Sequence, residues 1–264
     1  MDKLQPDIIY EDENLVAVNK PAGLLVHQTR INADKRIHAE QRGNNAETLA
    51  DWIVQKYPEV GSVGDDPAQR PGIVHRLDRE TSGVMLVARN QKTFDYLKGL
   101  FQRRQIKKTY WAVVVGEVPR GGQIDKPIGI KNGSVRRSVH SGKMTKEAVT
   151  NFRPLKKIEI DGGKFTLLEV QPETGRTHQI RVHLQSIGHP VVGDLLYGPK
   201  TSKLKALPRR LASLKLWRSG QAGKNSRLML YARSLEFTSV SGERLCLEAE
   251  PPPEFAKFVQ ERSD

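Results

Sequence analysis

Cysteine is almost missing from this sequence, in which Cys246 is the only one among 264 residues. One thiol cannot form an internal disulfide or supply a four-thiolate zinc site. A chain without disulfides fits a reducing, cytoplasmic compartment. The seven histidines are scattered, and the closest pair, His178 and His183, is five residues apart, so the two do not share a helical face. We therefore expect no metal site.

Long apolar runs are also missing. The two longest, GVMLVA at 83–88 and WAVVVG at 111–116, have the length of a β-strand and are far too short to cross a bilayer. The first fifteen residues have no apolar core and no cleavage signal, so we expect no secretion peptide. The sequence has no Walker loop and no GxGxxG motif after a strand, and we expect no cofactor.

Acidic residues are too few to balance the basic ones, which leaves a formal net charge of +13 and a pI of about 9.8. Such an excess favours a polyanionic partner, most simply a nucleic acid, with an affinity that falls as salt is added. An acidic small molecule would not need so much positive charge.

Two groups of basic residues stand apart from the predicted core. One spans Lys131 to Lys146, and the other fills an insertion at about 199–226. From Leu195 to Arg233 there are ten Lys or Arg and no Asp or Glu. Each group is either a solvated face or a surface that lies along an RNA backbone. The predicted backbone contacts are Lys131, Arg136, Arg137, Lys143, Lys203, Lys205, Arg209, Arg210, Lys215 and Arg218.

The apolar periodicity predicts an α+β fold. Strands are expected at 8–10, 15–19, 84–88, 108–115, 121–130, 147–155, 164–170, 228–232, 235–238 and 244–249, and helices at 48–57, 92–102, 177–187 and 254–262. Loops are expected at 28–47 and 61–72, and a basic excursion at 131–144. Strands and helices do not alternate strictly, which argues against a doubly wound parallel sheet. No repeat or long linker divides the chain, so we expect one domain over 1–264.

The most informative stretch is HRLDRETSG, at His75–Gly83. It places Asp78 between Arg76 and Arg79 in an otherwise apolar passage. Neighbouring positive charge favours the ionised carboxylate, which is the state that a nucleophile or general base needs. The alternative is an ordinary ion pair at a turn before a strand, because structural ion pairs perturb carboxylates too.

Two further side chains are candidates because of their positions. Tyr110 would share a strand face with Ala112 and Val114, whose modest size suits stacking on a flat ring. Arg181 would project from a polar face of the helix predicted to begin at Thr177, and its planar fork matches a carboxylate. The alternatives are an ordinary core tyrosine and a helix-surface arginine.

Three blocks of sequence carry a resemblance to a known family. They are YEDENLVAVNKPAGLLVH at 10–27, GIVHRLDRETSGVMLVAR at 72–89 and PETGRTHQIRVHL at 172–184. In sequence and order they resemble the pseudouridine synthases of the RluA type. The Lys-x-Tyr element at 108–110 and RLMLYARSL at 227–235 also fit, although the family more often has His where this chain has Tyr231. The resemblance runs from about Ile8 to about Phe258.

The resemblance implies the pseudouridine synthase fold, a mixed and mainly antiparallel sheet flanked by helices and long basic loops. It implies that Asp78 is the catalytic aspartate, that Tyr110 packs on the uracil and helps to move its C5 proton, and that Arg181 pairs with the aspartate. The implied substrate-binding residues are His75, Arg76, Leu77, Arg79, Thr81, Ser82, Gly83, Thr174, Gly175, Arg176, His178 and Gln179. Many relatives carry a small RNA-binding domain before the catalytic one, and we expect it to be absent because the first strand begins at about residue 8.

The implied reaction breaks the N1 glycosidic bond of a uridine, rotates the base and rejoins it to the ribose through C5. The target base must first be flipped out of its stack, at a cost of about a few kcal/mol. Asp78 would either attack C1′ or remove a C2′ proton to give a glycal, and the sequence leaves both routes open. We expect a structured RNA substrate, rRNA before tRNA, and a monomeric protein.

Two other functions stay open from the sequence. One is a non-catalytic RNA-binding protein on the same fold, against which the intact Asp78, Tyr110 and Arg181 argue. The other is a glycoside hydrolase, which would need a second carboxylate at a suitable distance, such as Glu80 or Glu173.

Overall fold

The computed structural model describes residues 4–28, 48–130, 136–139, 143–160, 162–198 and 227–260. The chain divides into two compact units, Met1–Ile106 with Ser234–Ala249 and Lys107–Arg233 with Glu250–Asp264. The single domain expected over 1–264 stays a prediction. Nearly all of the loop expected at 28–47, and the whole basic insertion at 199–226, lie outside the described residues.

Three antiparallel strands, in the order β1–β2–β3, form the base of the first unit. They are β1 (Asp7–Glu11), β2 (Leu15–Lys20) and β3 (Ser82–Ala88). Every residue of β3 is buried, which explains its unbroken apolar sequence. These three strands confirm the strands expected at 8–10, 15–19 and 84–88.

Polar caps set where the helices of this unit begin. Thr48 starts α1 (Leu49–Lys56) with a capping box, in which it and Asp51 satisfy each other's backbone N–H groups. Asn90 caps α2 (Gln91–Gln102) by accepting the N–H of Thr93. A short 3-10 helix, Pro58–Ser62, occupies the connection between α1 and the loop expected at 61–72.

The second unit contains a four-stranded antiparallel arrangement in the order β4–β10–β9–β5. The strands are β4 (Lys107–Val115), β5 (Gly122–Asp125), β9 (Val149–Ile160) and β10 (Gly163–Pro172). A separate small sheet has the order β7–β6–β8, formed by β6 (Ile128–Ile130), β7 (Arg137–Ser138) and β8 (Lys143–Lys146).

One strand prediction was wrong in this region. The single strand expected at 121–130 is two strands in different sheets, because Pro127 has no N–H to continue a ladder. The basic excursion expected at 131–144 contains, in its described parts, β7 and the start of β8.

The helix predicted at 177–187 is shorter in the structure, where α3 spans Gln179–Ser186. His178 precedes it with φ 58° and ψ 19°, a left-handed conformation that cannot continue into a right-handed helix. The prediction was therefore wrong about the first turn and correct about the stop.

The two strands predicted at 228–232 and 235–238 are one strand, β11 (Leu230–Thr238). Arg233 lies within it, with its guanidinium over the ring of Trp111 at 5.2 Å and 3.5 Å from a carboxylate oxygen of Glu250. Tyr231, where the family more often has His, is fully buried and donates its hydroxyl to the carbonyl of Glu250 at 2.7 Å. Burial also raises its pKa, so the phenol stays neutral.

The chain closes with β12 (Arg244–Glu248), which pairs antiparallel with residues 234–238 of β11 in the first unit, and with α4 (Pro253–Gln260) in the second. Antiparallel strand pairs with helices between them confirm the α+β class.

A buried lysine organises the first unit near the motif that contains Asp78. Lys20, at the end of β2, is fully buried, and its Nζ donates to three carbonyl oxygens. These belong to Pro21 and Leu24, at 2.9 Å each, and to Arg79, at 3.1 Å. Since Arg79 follows Asp78 directly, the ammonium ties the motif to the turn after β2.

Replacing Gly72 by Ala should destabilise the first unit through crowding. A Cβ there would lie 2.4 Å from the carbonyl oxygen of Ala88 and 2.6 Å from Val60 Cγ1, at a φ of +63°. We expect the free energy of unfolding in urea to fall by clearly more than the ~1–2 kcal/mol that a left-handed alanine costs by itself. Gly162→Ala is the matched control, since Gly162 has φ +76° and no atom within 4 Å of an added Cβ. Equal losses in the two variants would contradict the crowding.

Replacing Lys20 by Met should also lower stability, because the carbonyl oxygens of Pro21 and Leu24 lose this donor and that of Arg79 keeps the N–H of Gly23. At about 1–3 kcal/mol for each buried acceptor that loses its partner, we expect a total loss of about 2 kcal/mol or more. Lys98→Met is the control, since it removes an exposed ion pair with Asp65, a type worth about 0–1 kcal/mol, and a long contact with the Phe94 ring at 6.0 Å. Denaturant titration of both variants measures the difference, and a Lys20→Met protein as stable as Lys98→Met would refute this role.

Candidate active site

The segment around Asp78 is held on both sides by backbone hydrogen bonds. The N–H of Gly23 donates to the carbonyl of Arg79 at 2.8 Å, and Arg79 Nε donates back to the carbonyl of Gly23 at 3.0 Å. The N–H of Thr81 donates to the carbonyl of Asp78 at 3.1 Å, which closes a turn. With Lys20 on the same carbonyl of Arg79, the main chain that carries Asp78 has little freedom. Asp78 itself is half-buried, so it remains accessible on this fixed main chain.

The neighbours of Asp78 divide into exposed and buried side chains. Arg76 and Arg79 are exposed, and Arg79 Nε lies 3.9 Å from a carboxylate oxygen of Glu80. Leu77, Thr81, Ser82 and Gly83 are buried. Direct contact of these residues with a substrate stays a prediction.

His75 has a place in the fold. Its Nε2 accepts the N–H of Leu86, in β3, at 2.9 Å, and its ring stacks on Phe101 with centroids 4.6 Å apart. Nε2 is an acceptor here, so a neutral ring carries its proton on Nδ1. The imidazole therefore fixes the start of the motif against β3.

Tyr110 lies in the second unit, on β4 opposite Val170 of β10, and is half-buried. Two residues before it, Lys108 donates its Nζ to the carbonyl of Thr174 at 3.1 Å. This bond joins the strand of Tyr110 to the loop that leads into α3. The phenol ring is thus on a rigid strand and is still partly exposed.

Gln179 organises that loop from the first residue of α3. It is buried, and its Oε1 accepts from the hydroxyl of Thr174 at 2.7 Å and from the N–H of Arg176 at 2.9 Å. Its Nε2 donates to the carbonyl of Val149 and to Thr150 Oγ1, both at 2.9 Å. All four hydrogen-bonding positions of the amide are used within the fold. Gln179 therefore shapes the predicted substrate loop.

The other loop residues predicted to bind substrate are more open. Arg176 donates its Nε to the carbonyl of Glu147 at 2.9 Å and is partly exposed. A Cβ added at Gly175 would meet no atom within 4 Å, so open space lies beside it. His178 is partly buried and hydrogen-bonds through Nδ1 to the hydroxyl of Tyr197 at 2.9 Å.

Arg181 is buried, so the prediction that it projects from a polar face was wrong. Its Nε and Nη2 donate to the two carboxylate oxygens of Asp194 at 2.7 and 2.9 Å. Both side chains of this ion pair are almost completely shielded from solvent. A guanidinium has five N–H groups, so the pair with Asp194 leaves three for other acceptors. The pairing of Arg181 with Asp78 is compatible with this and stays a prediction.

Asp194 and Tyr197 are the residues that the sequence analysis missed. One sequence feature could have drawn attention to Asp194: it is the last acidic residue before the stretch from Leu195 to Arg233, which has no Asp or Glu. Near them on α3, His183 is fully buried and hydrogen-bonds Thr150 Oγ1 and the carbonyl of Lys126, each at 2.9 Å. Burial lowers the pKa of His183, which favours the neutral imidazole.

Three of the predicted RNA-backbone residues are described. Arg136 and Lys143 are exposed and Arg137 is partly exposed, on or beside the small sheet β7–β6–β8. The remaining seven lie outside the described residues: Lys131, Lys203, Lys205, Arg209, Arg210, Lys215 and Arg218.

Two further features of the described ranges concern membranes and metal ions. Every helix there is too short or too polar to cross a lipid bilayer. In the same ranges, no three His, Cys, Asp or Glu side chains are grouped as a metal ion would require.

Comparison with known proteins points to one family. Residues 14–186 match the RNA pseudouridylate synthase family. An uncharacterized RNA pseudouridine synthase of Aquifex aeolicus is 38% identical over 250 residues, which cover 94% of this chain and 70% of that protein. The ribosomal large subunit pseudouridine synthase D of Pseudomonas aeruginosa is 37% identical over 74% of this chain and 54% of its own length.

A solved structure agrees with these matches. Human RNA pseudouridylate synthase domain containing 4 superposes with a TM-score of 0.66 and 27% identity, covering 97% of this chain and 92% of the human one. The fold, the ordered motifs and the matched span of 14–186 all agree, and the chain belongs to the RNA pseudouridylate synthase family, whose members are isomerases.

Proposed function

We propose that this protein converts uridine to pseudouridine in RNA at a site formed by Asp78, Tyr110 and Arg181. The observation that carries the proposal is the family match over 14–186, which contains all three motif positions. Their placement supports it: a half-buried carboxylate on a fixed segment, a half-buried phenol on a strand and a buried guanidinium oriented by Asp194.

Asp78 is the residue that breaks the glycosidic bond. It either attacks C1′ of the ribose or removes a proton from C2′, and both routes release N1 of the uracil and need an ionised carboxylate. The base then turns and C5 bonds to C1′. On the first route this breaks the Asp78–C1′ bond, and on the second Asp78 returns the proton to C2′. C5 then gives up its proton and N1 gains one. Arg181 holds the carboxylate charged and oriented, since guanidinium–carboxylate pairs are strong and directional.

Tyr110 receives the base. A uridine in structured RNA has to leave its stack before Asp78 reaches the sugar, which costs about a few kcal/mol. Stacking on an aromatic ring is worth about 1–3 kcal/mol per base in proteins that bind single strands, so Tyr110 offsets much of that cost. The same ring lies close to C5 and helps to move its proton.

Ribosomal RNA is the substrate that we propose first, with tRNA as the rival. The support is that the Pseudomonas aeruginosa and Yersinia pestis relatives are named ribosomal large subunit pseudouridine synthases. The net charge of +13 suits a long polyanion. We propose a monomer that works in the cytoplasm, which suits a sequence with a single cysteine and therefore no internal disulfide.

Asp78→Asn should abolish turnover, because an amide can neither attack C1′ nor accept the C2′ proton. The measurement is tritium release from rRNA and tRNA transcripts labelled at C5 of uridine, with filter binding as the readout of RNA affinity. We expect wild type to release tritium and Asp78→Asn to bind the same transcript and release none. Asp95→Asn, the same change at an exposed position on α2, is the control and should match wild type.

Each arm separates one function from the others. Binding without tritium release by wild type would indicate a non-catalytic RNA-binding protein, and release of free uracil would indicate a hydrolase. Full activity in Asp78→Asn would refute the assignment of the aspartate.

The basic insertion should supply backbone contacts, and we expect a triple variant, Lys203→Ala with Arg209→Ala and Arg210→Ala, to bind RNA more weakly. Each lost phosphate contact should flatten the plot of log affinity against log salt by about 0.7–0.9. The single-turnover rate of bound RNA should change little, because these side chains act on the phosphates.

A second triple variant serves as the control for net charge. Lys92, Arg103 and Arg104, on α2 and just after it, are exposed, and their replacement by Ala removes the same three charges. An insertion variant with the salt slope of this control would rule out the proposed contacts.

A further inference from the structure

Asp194 is held by its own turn as well as by Arg181. Its Oδ1 accepts the N–H groups of Leu196 and Tyr197, both at 2.9 Å, in addition to Arg181 Nη2. Its carbonyl accepts the N–H of Gly198 at 2.9 Å. The main chain therefore orients the carboxylate, and the arginine binds to a partner that is already in place.

The residue before Asp194 fixes the start of that turn. Gly193 has φ +77°, and a Cβ there would lie 2.0 Å from the carbonyl oxygen of Arg227. Only glycine fits against this neighbouring backbone. The turn that carries Asp194 is thus locked on both sides.

Tyr197 holds the same arginine from another direction. The guanidinium carbon of Arg181 lies 5.2 Å from the centre of its ring, within the range of a cation–π contact. Asp194 fixes one edge of the guanidinium and Tyr197 fixes its face. The remaining N–H groups of Arg181 can therefore point in only a narrow range of directions.

The hydroxyl of Tyr197 connects this pair to two other segments. It accepts the N–H of Arg137, at the start of β7, at 2.8 Å. It also hydrogen-bonds Nδ1 of His178, the left-handed residue that precedes α3, at 2.9 Å. One phenol thus joins the helix that carries Arg181 to the small basic sheet that includes Lys143.

We propose that Asp194 and Tyr197 are positioning residues. Asp194 aims Arg181 for catalysis. The Tyr197 hydroxyl holds β7, at Arg137, in place beside the start of α3 for RNA binding. This rests on the proposed function, in which Arg181 orients Asp78. Asp194 then acts on the rate for bound RNA, and the Tyr197 hydroxyl acts on RNA affinity.

The first test is Asp194→Asn, which keeps the size of the side chain and removes its charge. We expect the single-turnover rate of tritium release to fall about 100-fold, as small misplacements of catalytic groups do. The Kd for the same transcript should change far less. Glu169→Gln is the matched control, because Glu169 forms the same two-bond pair with Arg153 in this unit, on an exposed surface. It should keep the wild-type rate.

A role in stability alone is separated from positioning by a double variant. If Asp194 acts through Arg181, Asp194→Asn lowers the single-turnover rate by a much smaller factor in the Arg181→Lys background than in the wild-type background. Fully multiplicative losses would overturn the proposal. All rates are measured well below the unfolding temperature of each variant, and Asp194→Glu, which keeps the charge but shifts it, replaces Asp194→Asn if the latter does not fold.

Tyr197→Phe tests the hydroxyl, since the ring over Arg181 is kept. We expect a weaker Kd for the RNA and a nearly unchanged rate at saturating enzyme. A wild-type Kd in Tyr197→Phe overturns the role of the Tyr197 hydroxyl in RNA binding. A wild-type rate in Asp194→Asn overturns the role of Asp194 in aiming Arg181. Both conclusions require that wild type and Asp95→Asn still release tritium. Loss of tritium release in wild type itself would remove the proposed function, and this inference with it.

Discussion

A fully buried ammonium group, that of Lys20, is the constraint on which the segment of Asp78 depends. Three carbonyl oxygens accept its three N–H groups, and one of them belongs to Arg79. An unsatisfied cation would be expensive in such a place, so the turn after β2 and the segment of Asp78 have to keep their shape together. The lysine thereby joins the first sequence block, 10–27, to the second, 72–89.

The second unit solves a similar problem with a buried arginine. Asp194 balances the charge of Arg181, and its own turn decides where the carboxylate points. Buried ion pairs contribute little net stability, and the specific orientation that they impose is the better reason to keep one. In the first unit a buried cation holds the segment of the predicted catalytic Asp78, and in the second unit the buried cation is the predicted catalytic Arg181, which a carboxylate holds.

The sequence predicted the regular parts of the fold well. β3 was recognisable from its apolar run, and α1 and α2 from their periodicity, whereas the caps Thr48 and Asn90 came from the structure. The errors came from single backbone events such as Pro127, which periodicity does not register, and the left-handed His178. For the candidate site, the motifs identified Asp78, Tyr110 and Arg181 as residues. They could not reveal Asp194, since an ion pair between a helix residue and a turn residue 13 positions later leaves no periodic trace.

The packing at Gly193 affects which part of this region can change during evolution. The carbonyl of Arg227 lies against Gly193, and the N–H of Gly198 donates to the carbonyl of Asp194. Residues 198 and 227, on either side of 199–226, are therefore both held next to Asp194. Closing a longer connection between fixed ends costs only about 0.6 kcal/mol for each doubling of length. The length and sequence of 199–226 can thus change during evolution with little effect on the position of the Asp194 carboxylate. The RNA contacts proposed for this insertion could then change without moving Asp194.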